Sequence, residues 1–273
     1  MSATAITSVS ELNRLADAVV SIARRAGAEI LDVYGSSDFG ATVKSDDSPL
    51  TQADLRAHHA IVSGLEALSP TLPVLSEESA EIPYETRRQW ARYWLVDPLD
   101  GTKEFLSRNG EFTVNIALIE NQQAVLGVVY VPARDTMYWG VVGSGAYRHD
   151  TQGVTAIHAQ ASASTPVRVV GSRSHRGDSL DAFLDKIGPY ELIPVGSALK
   201  LCMVAEGSAD VYPRLGLTSE WDTAAAHAVV SAAGGTVVQA DGSVLRYNAK
   251  DNILNPHFLV YADASRDWLS MLR

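Results

Sequence analysis

The chain is poor in cysteine and holds only Cys202 among its 273 residues. One cysteine excludes an intramolecular disulfide bond, and its place in an apolar helical pattern predicts a buried small hydrophobic side chain. No apolar run approaches the ~20 residues that a membrane-spanning helix needs. The first residues also show no charged and apolar segments of a secretory signal. We therefore expect a protein of the reducing cytoplasm.

Basic residues are scarce as well. The chain has 22 lysines and arginines against 32 aspartates and glutamates, and its formal charge is −10. A surface that binds polymeric nucleic acid needs a basic stripe, so this composition argues against one. A nucleotide ligand is compatible with it, because a few local cations and metal ions are sufficient. The phosphate-binding motif Gly-x-x-x-x-Gly-Lys-[Ser/Thr] of nucleoside triphosphatases is also absent.

The spacing of apolar residues predicts an α+β half over residues 1–160 and an α/β half over residues 161–273. In the first half we expect helices at about 10–34 and 51–68 and strands at 73–76, 93–96, 113–119, 125–130 and 136–140. In the second half we expect strands at 167–170, 192–195, 209–212, 236–239 and 258–262, helices at 178–187, 198–206 and 222–233, and a terminal helix. A polar turn at 120–123 predicts an antiparallel meander. No Pro/Gly-rich linker separates the halves, so we expect them to pack together.

Two aspartates directly follow the apolar run Tyr93–Val96. They are Asp97 and Asp100, and Gly101-Thr102 come next at a predicted helix start. A strand that ends in two carboxylates can hold hard cations, and backbone N–H groups at a helix start can hold a phosphate. This stretch therefore predicts metal-dependent phosphate chemistry.

Four further carboxylates lie at the ends of predicted elements: Asp54, Glu77, Glu78 and Asp222. Each alone has an ordinary explanation as a first-turn helix residue or a solvated loop residue. Together they indicate a site, because carboxylates gathered at strand ends repel one another unless cations neutralise them. All-oxygen ligands favour Mg²⁺.

Two motifs resemble the signatures of the inositol-monophosphatase-like, lithium-sensitive phosphatases: Asp97-Pro98-Leu99-Asp100-Gly101-Thr102 and Trp221-Asp222-Thr223-Ala224-Ala225. The run Tyr93–Leu118, which includes Arg108–Thr113, is similar to the bacterial CysQ branch of that family. That branch hydrolyses the 3′-phosphate of adenosine 3′,5′-bisphosphate. The resemblance covers nearly the whole chain, and it implies a layered αβαβα sandwich of the inositol monophosphatase and fructose-1,6-bisphosphatase type.

The resemblance also implies roles for individual residues. The implied metal ligands are the side chains or main-chain oxygens of Glu77, Asp97, Leu99, Asp100 and Asp222. Asp54 and Thr102 match the pair that orients and deprotonates the attacking water, and Glu78 is implied to act through a water at the metals. The expected cofactor is Mg²⁺, as two or three ions, with inhibition by Li⁺.

A second group of residues is expected to bind the substrate: Gly101, Thr102, Ser172, His175, Ser197, Lys200, Arg214 and Asp222. Where inositol phosphatases carry a glutamate facing hydroxyl groups, this chain has Arg214. A guanidinium there would bind a second phosphate, and Lys200 could serve the same phosphate. The ordinary alternatives are a structural ion pair for Arg214 and a loop histidine for His175.

The resemblance, together with Arg214 and the run Arg108–Thr113, thus favours a Mg²⁺-dependent 3′(2′),5′-bisphosphate nucleotidase that yields AMP and phosphate by attack of water, without a covalent intermediate. An inositol monophosphatase or sugar phosphatase is the alternative with the same chemistry. A non-catalytic nucleotide-binding regulator is the alternative of another class. We expect a monomer or homodimer. Some relatives are peripheral at the cytoplasmic face of the inner membrane, although no basic amphipathic helix here explains such attachment.

Overall fold

The computed structural model describes residues 7–36, 39–43, 49–68, 72–79, 81–172 and 178–272. Its α-helices are α1 (Val9–Tyr34), α2 (Gln52–Leu68), α3 (Tyr84–Arg87), α4 (Thr102–Leu106), α5 (Asp178–Ile187), α6 (Leu199–Ala205) and α7 (Glu220–Ala232). The first nine strands are β1 (Thr42–Val43), β2 (Pro49–Leu50), β3 (Val74–Ser76), β4 (Arg92–Asp100), β5 (Thr113–Glu120), β6 (Gln123–Val131), β7 (Thr136–Val141), β8 (Gly145–Asp150) and β9 (Gly153–Ile157). The remaining strands are β10 (Val167–Ser172), β11 (Tyr190–Val195), β12 (Val211–Arg214), β13 (Thr236–Gln239) and β14 (Phe258–Tyr261).

Two large sheets organise the described residues. The first has seven strands in the order β3-β4-β5-β6-β7-β8-β9, and the second has five in the order β11-β10-β12-β14-β13. In the first sheet only β3 and β4 run parallel, and every later neighbour pair is antiparallel. The predicted meander is therefore confirmed. The second sheet is mixed, since β10 pairs in parallel with β11 and β12 while β14 runs antiparallel to its neighbours.

The elements stack in five layers. Helices α1 and α2 cover one face of the seven-stranded sheet, and α6 and α7 fill the space between the two sheets. Helix α5 packs on the outer face of the five-stranded sheet. The αβαβα sandwich expected from the resemblance is thus confirmed. Helix α1 follows the predicted pattern, since Ser8 Oγ accepts a hydrogen bond from the Glu11 amide at its start and Gly35 ends it.

Glycines let the central helix α7 approach the first sheet closely. A Cβ atom at Gly127 would overlap the backbone carbonyl of Ala225, and one at Gly140 would lie 2.8 Å from the Cα of Val229. The facing side of α7 is rich in alanine, and most of the helix is buried because it lies between two sheets. This close packing fixes the start of α7 relative to β4.

Three expectations about secondary structure were wrong. The sequence did not predict β8 and β9, whose exposed and half-exposed polar residues lack a clear apolar alternation. The terminal α-helix is replaced by a short 3₁₀ turn at Ser270–Leu272, because the buried Trp268 indole donates to the carbonyl of Asp263 and holds the chain in loops. The strand expected at 209–212 runs from Val211 to Arg214 instead.

The structure also bears on the expectations about membrane-spanning helices and about Cys202. In the described residues no helix combines the length and the apolar character needed to cross a membrane. Cys202 lies on α6 with a fully buried side chain, as predicted.

We expect Gly127→Ala to lower the free energy of unfolding by about 1–3 kcal/mol, because the added methyl group pushes α7 away from β6. The measurement is equilibrium unfolding in urea. Gly35→Ala is the matched control: its φ is −74°, and a Cβ atom there lies 3.5 Å from its nearest neighbour, the Leu31 carbonyl oxygen. The control should change stability by no more than about 0.5 kcal/mol. Equal effects of the two changes would contradict the packing argument.

Candidate active site

The parallel register of β3 and β4 brings the first carboxylates together. Ser76 lies opposite Val96, so the residues that follow them, Glu77 and Asp97, lie side by side. Glu77 and Glu78 begin a 3₁₀ turn at Glu77–Ser79. Asp97 is 1% exposed, and its Oδ1 accepts a hydrogen bond from the Leu99 amide at 3.0 Å. Both predicted ligand positions therefore lie at the carboxyl end of adjacent strands.

A bulge turns Asp97 and Asp100 toward the same side of the sheet. Asp97 pairs with Asn115 and Asp100 with Thr113, so Pro98 and Leu99 together lie opposite the single residue Val114. In a regular strand, residues three positions apart point to opposite faces. The extra residue in β4 brings the side chains of Asp97 and Asp100 to the same face, and bulges beside active sites often redirect side chains in this way. The sequence predicted that the strand ends at Val96, whereas β4 continues through Asp100.

Asp100 is held by hydrogen bonds from β5 of the first sheet and from the start of α6 in the second half of the chain. Its Oδ2 accepts from the backbone amide of Ala198 at 2.6 Å and from the side chains of Thr113 and Asn115, each at 3.4 Å. Sequence reasoning did not identify Thr113 and Asn115. Their signal was present, because they are polar residues at alternate positions of β5, a strand that is buried along its whole length.

Asp54 and Asp222 occupy equivalent places in two helices. Each is the third residue of its helix, and each uses Oδ2 to accept the backbone amide three residues earlier, from Thr51 at 2.7 Å and from Ser219 at 2.9 Å. This is the carboxylate half of a capping box. Asp54 Oδ1 in turn accepts the Thr102 hydroxyl at 3.5 Å. The predicted pair of Asp54 and Thr102 is therefore in contact.

Burial and neighbouring negative charges raise the pKa of three of the clustered carboxylates. Burial, followed by the charges of Glu77, Asp100, Asp222 and Asp54, raises the pKa of Asp97 well above its usual range. Burial raises the pKa of Asp100 to about 6, although Lys200 opposes this. Burial and the charge of Asp100 raise the pKa of Asp222 to about 8. Asp97 thus feels the charges of four other predicted carboxylates in a region of low water content.

Oxygen donors and surplus negative charge fit a hard cation such as Mg²⁺. Among the described residues, no three or more His, Cys, Asp or Glu side chains are placed so that they alone could hold a metal ion. Mg²⁺ does not need one, because it usually binds to one or two carboxylates and keeps waters or phosphate oxygens as its other ligands. The bulge in β4 also removes Leu99 from the regular ladder of pairs with β5. This suits the predicted role of the Leu99 main-chain oxygen as a metal ligand.

A polar cavity of about 130 Å³ opens beside these carboxylates. Asp100, Gly101 and Asp222 line it together with Lys200 and Arg214. Lys200 lies on α6 and donates from Nζ to the Ser197 carbonyl at 2.7 Å, and burial lowers its pKa to about 8. Arg214 ends β12 and donates from Nη2 to the Leu217 carbonyl at 2.5 Å. The structure therefore brings both predicted phosphate-binding cations to the metal-ligand candidates.

The remaining predicted substrate residues differ in placement. Ser172 ends β10 and lines the same cavity. Ser197 also lines it, but its hydroxyl faces two backbone carbonyls, those of Asp100 at 3.0 Å and Glu111 at 2.5 Å. His175 lies outside the described residues. Sequence reasoning missed several further lining residues, namely Glu104, Leu201, Tyr212, Thr218, Thr223 and Phe258.

Comparisons with known proteins agree on one family. The profile of the inositol monophosphatase family matches residues 11–267. The protein of Salmonella typhimurium named 3′(2′),5′-bisphosphate nucleotidase CysQ is 49% identical over 243 residues, which cover 89% of this chain and 97% of that protein. The Escherichia coli K12 protein of the same name is 48% identical over 245 residues, 89% of this chain and 98% of that protein.

Solved structures give the same result. The crystal structure of CysQ from Bacteroides thetaiotaomicron, titled a bacterial member of the inositol monophosphatase family, has a TM-score of 0.81 and 44% identity. The superposed region covers 91% of this chain and 97% of the Bacteroides thetaiotaomicron chain. The suhB protein of Bartonella henselae has a TM-score of 0.77 at 27% identity and covers 94% of this chain and 97% of that chain.

The raised pKa values predict that the metal-free protein loses stability as the pH rises from about 4 to 8, with the part between 6 and 8 due mainly to Asp222. A carboxyl group whose pKa is higher in the folded state stabilises the fold at low pH, and this contribution disappears as the pH passes through the folded value. These values are about 6 for Asp100 and about 8 for Asp222. Thermal unfolding should therefore give a lower Tm at pH 8, and Mg²⁺ should raise the Tm more at pH 8 than at pH 6.

Asp97→Asn removes one of the repelling charges and is the variant that tests this. It should raise the Tm of the metal-free protein at pH 8 and reduce the rise in Tm that Mg²⁺ causes. Asp241→Asn, at an exposed position, is the control and should behave like the unmodified protein. A Mg²⁺ response of Asp97→Asn equal to that of the control would contradict the metal-ligand role.

Proposed function

The chain belongs to the inositol monophosphatase family, and on that premise we propose that it is a 3′(2′),5′-bisphosphate nucleotidase. Its proposed reaction is Mg²⁺-dependent hydrolysis of the 3′-phosphate of adenosine 3′,5′-bisphosphate to AMP and phosphate. The observation that carries the proposal is one cavity that carboxylates and cations line together. Its charged lining includes an acidic half, Asp100 and Asp222, and a cationic half, Lys200 and Arg214. A substrate with two phosphates matches this lining, because metal ions at the carboxylates can bind one phosphate and the cations can bind the other.

The acidic half would bind the phosphate that is cleaved. Its proposed metal ligands are the carboxylates of Glu77, Asp97, Asp100 and Asp222 and the main-chain oxygen of Leu99. When bound, Mg²⁺ supplies positive charge to the phosphoryl oxygens and lowers the pKa of a water molecule. Gly101 and the Thr102 amide, at the start of α4, would donate to phosphate oxygens.

Thr102 and Asp54 would prepare the attacking water. The 3.5 Å contact between the Thr102 hydroxyl and Asp54 Oδ1 forms a path along which a proton can pass from water to carboxylate. Asp54 Oδ2 is fixed by the amide and the hydroxyl of Thr51, both at 2.7 Å, so the carboxylate keeps its orientation. The water oxygen then forms a bond to phosphorus while the ester bond to the 3′-oxygen breaks. The leaving oxygen keeps the bonding pair and takes up a proton. Glu78, next to Glu77 in the same turn, would help to hold the water near the metals.

The cationic half would bind the phosphate that remains. Arg214 offers a guanidinium whose geometry suits two parallel hydrogen bonds to a phosphate. Lys200 adds a positive charge from α6, and Ser172 adds a polar group from the end of β10. An inositol monophosphate has no second phosphate to use these groups. The cationic half therefore supports a bisphosphate over the alternative with the same chemistry. The names of the 48–49% identical relatives support the same substrate.

We expect phosphate release from adenosine 3′,5′-bisphosphate with Mg²⁺ to exceed release from inositol 1-phosphate by about a hundredfold in kcat/KM. The reason is that only the first substrate engages Arg214 and Lys200, and two charge-assisted contacts at ~1.5 kcal/mol each give about this factor. The measurement is release of inorganic phosphate, with and without Li⁺. A preference for inositol 1-phosphate would identify an inositol monophosphatase. Tight nucleotide binding without any phosphate release would identify a regulator.

A second prediction isolates Arg214. Arg214→Glu should lower kcat/KM for adenosine 3′,5′-bisphosphate by about tenfold or more, because a charge-assisted contact becomes a repulsion. Adenosine 3′-monophosphate, which lacks the 5′-phosphate, should be affected much less. The control is Arg88→Glu, an equal charge change at an exposed residue paired with Glu85. Equal losses of kcat/KM for both substrates would show that Arg214 supports the fold and does not bind the second phosphate.

A further inference from the structure

The short segment Gly196–Ala198, between β11 and α6, touches the active site at several points. The Ala198 amide donates to the Asp100 carboxylate at 2.6 Å. The Ser197 carbonyl accepts Lys200 Nζ at 2.7 Å, and the Ser197 hydroxyl faces the Asp100 carbonyl at 3.0 Å. One segment of the second half thus holds both a proposed metal ligand and a proposed phosphate-binding cation.

This segment has a backbone conformation that needs support. Ser197 has a φ of 51°, which is in the left-handed region that non-glycine residues seldom adopt. The Ser197 hydroxyl also lies where a Cβ atom on Gly101 would be, so the segments around Ser197 and Gly101 are in direct contact. A Cβ atom on Gly196 would lie 2.8 Å from Glu104 Cγ and 3.1 Å from the carbonyl oxygen of Glu111. Such a conformation persists only where its surroundings hold it.

Glu111 supplies that support from the first half of the chain. Its carboxylate Oε2 accepts the Gly196 amide at 2.9 Å, and its backbone carbonyl accepts the Ser197 hydroxyl at 2.5 Å. The residue is 8% exposed. Its own amide donates to Asn109 Oδ1 at 2.9 Å, which fixes the backbone on the other side. Glu111 belongs to the run Arg108–Thr113, for which no role has been assigned so far.

We propose that Glu111 is a positioning residue that holds Asp100 and Lys200 in place through the Gly196–Ala198 segment. The proposal rests on the function proposed above. Glu111 touches neither the metals nor the substrate in this scheme, and its effect passes through two backbone groups. The Ala198 amide orients Asp100 for the metals, and the Ser197 carbonyl orients Lys200 for the second phosphate. Loss of Glu111 should therefore weaken both metal response and substrate binding.

A plain structural role is the competing explanation. Glu111 Oε1 also accepts Arg134 Nη2 at 3.3 Å, and this ion pair stabilises the fold whether or not the segment is positioned. Arg134 is about half exposed, so the pair itself is weak. Arg134→Met removes the ion pair and keeps the contacts of Glu111 with Gly196 and Ser197. It therefore separates the two explanations.

The test compares Glu111→Ala, Glu111→Gln, Arg134→Met and Glu206→Gln. Glu206 is the matched control, because it caps the end of α6, accepts a hydrogen bond from the Tyr138 hydroxyl at 3.1 Å and lines the same cavity as Arg134. Its hydrogen bond and ion pair partners, Tyr138, Arg148 and Ser208, lie outside the Gly196–Ala198 segment. The first readout needs no substrate: the Mg²⁺ concentration that gives half of the maximal rise in Tm. The second is kcat and KM for adenosine 3′,5′-bisphosphate.

Glu111→Ala should raise the half-maximal Mg²⁺ concentration and the KM by about tenfold each, because a buried amide loses its charged acceptor. Glu111→Gln keeps a neutral acceptor and should show a smaller shift in the same direction. It also carries the test if the alanine variant does not fold. Arg134→Met and Glu206→Gln should stay within about twofold of the unmodified protein.

Two results would overturn the positioning role. One is an unchanged Mg²⁺ response and KM in both Glu111 variants. The other is an equal shift in Arg134→Met, which would assign the effect to the ion pair. If the unmodified protein does not hydrolyse adenosine 3′,5′-bisphosphate, the proposed function fails on its own. The Mg²⁺ titration then still decides whether Glu111 positions Asp100.

Discussion

Repulsion among buried carboxylates is the constraint on which the rest of the site depends. Asp97 feels the charges of four neighbours in a place that water hardly reaches, and its pKa rises accordingly. A fold gains no stability from such a cluster by itself, because each buried charge must be desolvated and none is compensated by a neighbour of the same sign. The cluster becomes favourable when a cation enters. The low dielectric constant of the buried site, which strengthens the repulsion among carboxylates, also strengthens their attraction to the cation. Stability and metal binding are therefore linked through the same side chains.

The architecture serves this cluster by bringing three separate elements, β4, α2 and α7, to one end of the first sheet. The bulge in β4 aims Asp97 and Asp100 the same way, and the helix starts of α2 and α7 bring Asp54 and Asp222 from opposite layers. In both helices the aspartate is tied to the backbone by one oxygen, so its direction is set by the helix start itself. The close approach of α7 to the sheet at Gly127 then fixes the distance between the layers. Rigid elements, not loops, carry most of the candidate ligands, and this is the arrangement that holds a site most accurately.

The sequence predicted the composition of the site better than its geometry. Apolar runs that end in Asp97 and at Glu77 are a strong local signal, and the long amphipathic helix α1 is recognisable from its period alone. The bulge is not, because nothing in Asp97-Pro98-Leu99-Asp100 says that two residues will face one residue of β5. The strands β8 and β9 were missed because their pairing is stabilised by the neighbouring strand β7 and not by an apolar pattern of their own. Glu111 could not be identified as a support, since its partner Gly196 lies 85 positions away.

Long-range contacts of this kind explain why the two halves of the chain form one site. The metal-ligand candidates come mainly from the first half, and the cations for the second phosphate come from the second half. Two independent halves could bind one phosphate each, but they would not fix the distance between the phosphates. The contacts of Gly196–Ala198 with Asp100 and Glu111 cross from one half to the other and set that distance. In the proposed function, recognition of a bisphosphate would depend on this spacing as well as on the charges, because a misplacement of about 1 Å can lower a rate about a hundredfold. Specificity for a bisphosphate would then come from the contacts between the two halves together with Arg214, and not from Arg214 alone.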